Sequence, residues 1–320
     1  MRILVTGGAG FIGGNLAKRL EREGHEVVVL DNFSSGSFDN LVDFHGDVVS
    51  ATCHGTGLSS AGGAGPGSEP CRRCDVIFHE ASITDTTVTD QLLMMRNNVE
   101  GFRNVLAWAA RWEARVVWAS SAAVYGNLPA PNTLSDRPHP LNVYGYSKLA
   151  MERLARLWAM EHVELPIIGL RYFNVYGPGE GHKGKFASMI WQLALQMKAG
   201  RRPRVFRAGE QKRDFVSIED IVDVNLLAMK AATAGSATGA KVPPAAVFNA
   251  GCGKAHSFND VIAGLNAALG TALEAEFIDN PYLFFQNHTE ADISETTRVL
   301  GYQPRFTDVA AGIQAYLAPR

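Results

Sequence analysis

Tyr144 and Lys148 stand four residues apart in the run 140–148, a spacing that stacks two side chains on one helix face. A free tyrosine titrates near pKa ~10 and is a poor base at neutral pH. An ammonium held within about 4–6 Å lowers that value by roughly 1–3 units, towards the range where acid–base catalysis works best. The chemistry this predicts is proton transfer to and from a substrate hydroxyl. Ser120 and Ser121 end an apolar run beginning at Arg115. A hydroxyl at such a strand end can hydrogen-bond the same substrate oxygen, and Ser121 is assigned that part beside Tyr144 and Lys148.

The N-terminus supplies a cofactor site. Residues 3–7 read as a short buried strand, followed by Gly7, Gly10 and Gly13 and a helical pattern through Leu16 and Leu20. Strand, glycine turn and helix in that order make a dinucleotide site. Gly7 permits the tight turn, Gly10 lets the backbone approach a pyrophosphate, and Gly13 allows close helix–strand packing, with the phosphates on the helix N-terminus. Phe11 and Ile12 lie inside this turn and count among the cofactor contacts. A second apolar run, 27–31, ends in Asp31, about twenty residues beyond the glycines. A carboxylate there accepts from both ribose hydroxyls and repels a 2′-phosphate, which favours NAD. Asn32 beside it softens the discrimination and leaves NADP open.

The elements that must position these residues alternate. Residues 75–79, 115–120 and 167–171 read as strands, with helices over 91–111 and 144–162. Repeated units of this length predict an α/β Rossmann fold, a doubly wound parallel sheet covered by helices on both faces. Beyond about Phe173 the pattern loosens, predicting a smaller C-terminal substrate domain over the C-terminal ends of the strands. Residues 220–232 and 247–251 return to the sheet side. The expected division is 1–173 for the NAD(P)-binding domain, with 214–251 returning to it, and 174–213 plus 252–320 for the substrate domain.

A chain of 320 residues with 46% hydrophobic content suits one large α/β domain or two smaller ones. Its formal net charge of −2 argues against nucleic-acid or membrane-surface partners, which need a basic face. With the glycine loop starting at residue 7, no leader is read and no apolar run is long enough to span a bilayer. The expected location is cytoplasmic, and four cysteines without an evident disulfide framework fit a reducing compartment. Residues 50–74, rich in Gly, Ser, Ala and Pro, break the pattern. Cys53, His54, Cys71 and Cys74 have zinc-like spacing, but few apolar residues support a compact site. A flexible surface loop is the main reading, a local reading-frame change is another, and no metal is assigned. Residues 231–244 read as a second flexible linker. His79 and the tryptophans are expected in the core, and His182 is expected to shape the loop around Lys183.

In order, and across nearly the whole chain, these motifs resemble the extended short-chain dehydrogenase/reductase family of nucleotide-sugar-modifying enzymes. The resemblance rests on the glycine pattern, the strand-end serines, Tyr144 with Lys148, and residues 171–178. Residues 78–81, 140–148, 180–184 and 212–216 are most similar to its ADP-L-glycero-D-manno-heptose 6-epimerase branch, the Gly-His-Lys-Gly run at 181–184 most sharply. That likeness implies a redox-neutral inversion. The sixth carbon of the heptose gives a hydride to the cofactor while a base takes the hydroxyl proton. The ketone turns over, and the hydride returns to its opposite face. Two faces need two acid/bases, and the resemblance implies Tyr144 for one and Lys183 for the other. It further implies that Asn174, Val175 and Arg213 contact the nucleotide sugar, a guanidinium suiting a diphosphate. Asp47, Val48, Glu80, Ala81, Ser82, Asn97 and Lys148 would hold the cofactor, and a homo-oligomer is expected. Departures at residues 84–87, Lys185, Gln192, Arg207 and Phe285 bear on the sugar more than on the reaction. A UDP-hexose 4-epimerase would not need Lys183. A dehydratase would carry an acid pair where Ala122 and Ala123 stand, and a non-enzymatic dinucleotide sensor would tend to lose the tyrosine or the lysine.

Overall fold

The computed structural model describes residues 1–54, 69–234, 238–280 and 286–318. In chain order its strands begin with β1 (Arg2–Thr6), β2 (Glu26–Asp31), β3 (Asp47–Ser50), β4 (Val76–His79), β5 (Arg115–Ser121) and β6 (Ile167–Tyr172). They continue with β7 (Asn174–Tyr176), β8 (Arg204–Phe206), β9 (Lys212–Ser217), β10 (Ala245–Ala250), β11 (Ala255–Ser257) and β12 (Glu276–Ile278). The helices that matter below are α1 (Phe11–Arg22), α2 (Gln91–Met95), α3 (Gly101–Trp112), α4 (Val143–Glu161), α5 (Met189–Lys198), α6 (Ile218–Ala234) and α7 (Phe258–Leu269).

Seven strands pair in parallel in the order β10-β6-β5-β4-β1-β2-β3. Runs such as Val27–Leu30 and Val76–Phe78 are apolar throughout because both faces of the sheet are covered. Successive residues of a strand point to opposite faces. Accordingly Ile3 and Val5 join one apolar cluster, with Leu16, Leu20 and Val224, while Leu4 joins another, with Phe102 and Trp118. A third cluster, with Tyr176, Ile190, Phe215 and Val261, packs α5 and α7 around a small sheet of β11, β9 and β7. From β1 the chain runs outward to β2 and β3, then returns to β4 on the other side of β1. Where strand order reverses, the connections part beyond the strands' C-terminal ends, and such a crevice is where open α/β sheets bind ligands.

One element differs from expectation. Residues 91–111 do not form a single helix: a π turn, Arg96–Glu100, separates α2 from α3. The wider turn carries the fully buried Asn98. Its amide donates to the Ile83 carbonyl at 3.1 Å and to Ser147 Oγ at 3.0 Å, and its Oδ1 accepts from the Ile83 N–H at 2.8 Å. Regular 3.6-residue periodicity hides that one-residue adjustment. Trp108, Trp112 and Trp118 lie in the core, and Trp158 and Trp191 are half-buried. No helix among the described residues is long and apolar enough to cross a membrane.

Candidate active site

The glycine turn joins β1 to α1. A Cβ on Gly13 would lie 2.2 Å from the Gly7 carbonyl oxygen, so only glycine lets the helix begin this close to the strand. Gly10 is the N-cap of α1, and no side chain caps the first-turn N–H groups. That leaves them as donors for phosphate, with Phe11 and Ile12 at the same turn. Asp31 ends β2 as a buried carboxylate, accepting from the N–H of Ala9 at 3.0 Å and of Phe33 at 2.8 Å. A dinucleotide fits this arrangement. Asn32 is exposed and its Oδ1 is engaged by Ser34. Asp47 and Val48 are not brought to the same crevice. They pair with Val28 and Val29, before the strand ends, and Ser50 instead stands level with Asp31. Asn97, in the π turn, lies 3.2 Å through Nδ2 from Nε2 of His54.

The residues expected to transfer protons meet at the end of β5. Asn142 caps α4 by accepting from the Gly145 N–H at 2.8 Å, which places Tyr144, Lys148 and Glu152 on successive turns of one face. Lys148 is buried, and its Nζ donates to Ser82 Oγ at 2.5 Å and to the Ala119 carbonyl at 2.8 Å. Desolvation lowers its pKa to about 8, against the pull of Glu80. The ammonium lies 5.9 Å from the centroid of the Tyr144 ring. The net shift of the tyrosine is opposite to the expected one. Burial and, to a lesser degree, the Glu80 carboxylate push the Tyr144 phenol up, opposed by a hydrogen bond from Ser121. The two serines separate in role. Ser121 hydrogen-bonds Tyr144, whereas the buried Ser120 donates to Glu152 Oε1 at 2.8 Å.

Glu80 and Ala81 follow β4. The Glu80 carboxyl is raised to about 7, mainly by desolvation, with Tyr172 and Lys148 opposing. It accepts from the Tyr172 hydroxyl at 2.9 Å, and Asn225 of α6 donates to that hydroxyl at 2.7 Å. Neither Tyr172 nor Asn225 is signalled by spacing, since they reach the site only once β6 and α6 are packed together. His79 is a core residue: its Nδ1 lies 2.8 Å from Thr6 Oγ1, its ring stacks on Phe102, and burial lowers its pKa to about 3.

On the other side, a short turn Gly181–Phe186 carries Lys183. Its half-buried ammonium lies 5.4 Å from the centroid of the Phe11 ring, and desolvation lowers its pKa against the nearby Glu180. Arg213 on β9 is buried, with its pKa lowered by desolvation to about 10. It remains charged at neutral pH. Asn174 begins β7, exposed, with its Oδ1 3.4 Å from Thr289 Oγ1, and Val175 pairs with Val216. The Cys71 and Cys74 sulfurs are 3.8 Å apart and Cys53 is buried in the core. No group of three or more metal-ligating side chains converges among the described residues. Phe285 and residues 55–68 lie outside the described residues.

This arrangement pairs a dinucleotide turn with a tyrosine, a lysine and a serine at one strand end. A family model described as the NAD dependent epimerase/dehydratase family matches residues 3–251. The chain is 38% identical to the ADP-L-glycero-D-manno-heptose-6-epimerase of Helicobacter pylori, covering 99% of this chain and 94% of that one, with a TM-score of 0.82. It is 26% identical to the UDP-glucose 4-epimerase of Thermotoga maritima, covering 99% and 97%, with a TM-score of 0.84. It is 25% identical to a UDP-glucuronic acid 4-epimerase from Bacillus cereus solved with UDP-glucuronic acid and NAD, covering 99% and 98%, with a TM-score of 0.82. By the extent of the family match and by these likenesses, this chain belongs to the NAD-dependent epimerase/dehydratase family, among its nucleotide-sugar epimerases.

Proposed function

We propose that the protein inverts the sixth carbon of an ADP-linked heptose, with bound NAD as its redox partner. The observation that carries this reading is Lys183, a second lysine, half-buried and poised beside the cofactor turn, on a different element from Tyr144. The 38% identity to the Helicobacter pylori enzyme supports the same choice. NAD is preferred to NADP because Asp31 holds a buried carboxylate where a 2′-phosphate would have to sit.

In this reading the nicotinamide supplies reversible hydride acceptance, and the protein supplies everything else. Gly7, Gly10, Gly13 and the α1 N-terminus hold the pyrophosphate, with Asp31 on the ribose. Tyr144 exchanges the C6 hydroxyl proton on one face, aided by the Ser121 hydroxyl. Lys148, fixed by Ser82 and the Ala119 carbonyl, keeps positive charge beside the phenol. After the sugar turns over, Lys183 exchanges the proton on the other face. Its lowered pKa makes proton release near neutral pH easier than for a free lysine. Arg213 receives the diphosphate as a charged group already stripped of much of its water, and Asn174 and Val175 border the sugar. We assign the substrate-binding part to 174–213 and 252–320. A UDP-hexose 4-epimerase is the second reading, favoured by the close overall likeness to the Thermotoga maritima enzyme.

The test is to incubate the purified protein with ADP-D-glycero-D-manno-heptose, without added cofactor, and follow the C6 epimer by NMR. Turnover that disappears in a folded Lys183→Ala variant is the expected result. Failure to turn over this sugar, with interconversion of UDP-glucose and UDP-galactose instead, would overturn it.

A further inference from the structure

The turn bearing Lys183 is fastened to the cofactor turn through His182, already expected to shape this loop, and through Asn40 and Asn15, to which no role has so far been given. Asn40, buried in the short helix Phe38–Leu41, donates through Nδ2 to the carbonyl of Ala9 at 2.9 Å. The Ser37 N–H donates to the same carbonyl at 2.9 Å. Ala9 lies inside the glycine turn, between Gly7 and Gly10. The Asn40 Nδ2 is also 3.1 Å from Nδ1 of His182, the residue before Lys183, and an amide has a second hydrogen to give. That ring nitrogen lies 2.9 Å from the Gly179 carbonyl. One nitrogen cannot accept from Asn40 and donate to Gly179 at once, so the ring tautomer selects between a cross-link to the cofactor turn and a link within its own turn.

Two more contacts close the joint. Asn15 of α1 donates to the Pro178 carbonyl at 3.0 Å while also bonding the Phe11 carbonyl at 2.9 Å. Gly179, at φ +95°, packs so closely here that a Cβ would lie 3.1 Å from Asn15 Nδ2 and 3.3 Å from Asn40 Oδ1. Phe11, whose ring faces the Lys183 ammonium, completes this socket.

We propose that Asn40 and His182, with Asn15, are positioning residues that set Lys183 against the cofactor turn, so that the second acid/base is placed by the same segment that binds the cofactor. The inference rests on the reading of Lys183 as an acid/base. None of the three side chains need touch the reacting atoms. Loss of the His182 link, which leaves the Asn40 bond to the cofactor turn in place, should therefore leave cofactor content and sugar KM nearly unchanged and fall on kcat, where a misplacement of about 1 Å costs on the order of 10²-fold.

The experiment compares Lys183→Ala, His182→Leu and His182→Asn in the NMR assay, with NAD content and melting temperature measured on each. An Asn side chain places a polar atom near the Nδ1 position, so H182N should restore most of the kcat that H182L loses. Loss of activity in K183A together with parental kcat in H182L would overturn the positioning role while leaving the two-base reading intact. Activity retained in K183A would overturn both. Should H182L fail to fold, Asn15→Ala carries the same expectation: kcat reduced, with KM and NAD content held, and a parental kcat overturns the proposal.

Discussion

Tyr144 is pulled in opposite directions by two neighbours. The Glu80 carboxylate adds to burial in favouring the neutral phenol, while the Ser121 hydroxyl favours the phenolate. If Tyr144 removes the substrate proton, kcat rises with pH as the phenol ionises. Ser121→Ala removes the hydrogen bond, raises the phenol's pKa and should move that rising limb to higher pH. Glu80→Gln removes a negative charge, lowers the pKa and should move the limb to lower pH. Profiles of kcat against pH check this, and displacement of both variants in the same direction would overturn the assignment. Tyr144→Phe should lower kcat by at least ~10²-fold while NAD is retained. The spacing of Tyr144 and Lys148 made this pair legible in the sequence. The direction of the tyrosine's shift was not, because it depends mainly on burial in the assembled fold and only then on Glu80, which arrives from the end of another strand.

Helix α4 meets the end of β5 at three successive turns: Tyr144 with Ser121, Lys148 with the Ala119 carbonyl, and Glu152 with Ser120. Glu152 is also gripped by Arg171 of β6, through Nε at 2.8 Å and Nη2 at 2.7 Å, and the guanidinium lies 4.7 Å from the centroid of the Tyr125 ring. Both charged groups are buried. Removing one partner strands the other, at a cost of about 3–5 kcal/mol, whereas replacing both by apolar groups of similar size is often nearly neutral. Glu152→Leu should therefore lower unfolding free energy by about 3–5 kcal/mol in urea melts, and adding Arg171→Met should recover most of the loss. A double variant no better than the single one would show that the pair does not act as a unit. Tyr144, Lys148 and Glu152 are evenly spaced in the sequence. The use of Glu152 was hidden, because Arg171 and Ser120 are neighbours only once β5 and β6 are in register. The π turn was hidden for a related reason, since Asn98 finds its partners at Ile83 and Ser147.

Alternating apolar runs made the parallel sheet legible, because strands covered on both faces are apolar throughout. The three-residue strands β7, β8, β11 and β12 are too short to carry a pattern and owe their pairing to distant partners. The same dependence on assembly governs stability against pH, where two adjacent residues of the fold oppose each other. His79 titrates near 3 in the folded protein and, like a free histidine, near 6.5 when unfolded. Between those values the unfolded chain binds the extra proton, so this contribution is complete above pH ~6.5 and is lost as pH falls. Glu80 titrates near 7 when folded and, as a free glutamate, near 4.3 when unfolded. Here the folded chain binds the extra proton, so its contribution is complete below pH ~4.3 and is lost as pH rises towards 7. From about pH 4.5 to 6.5 the two slopes are opposite, each about 1.4 kcal/mol per pH unit, and nearly cancel. Glu80→Gln should expose the histidine's share, making the variant lose roughly 2–3 kcal/mol more than the parent when pH is lowered from 6.5 to 4.5. His79→Leu should do the reverse and lose less than the parent over the same interval. Denaturant melts of the three proteins at the two pH values give both differences. If the variants shift with the same sign, the opposition between His79 and Glu80 is not what balances the fold across that range.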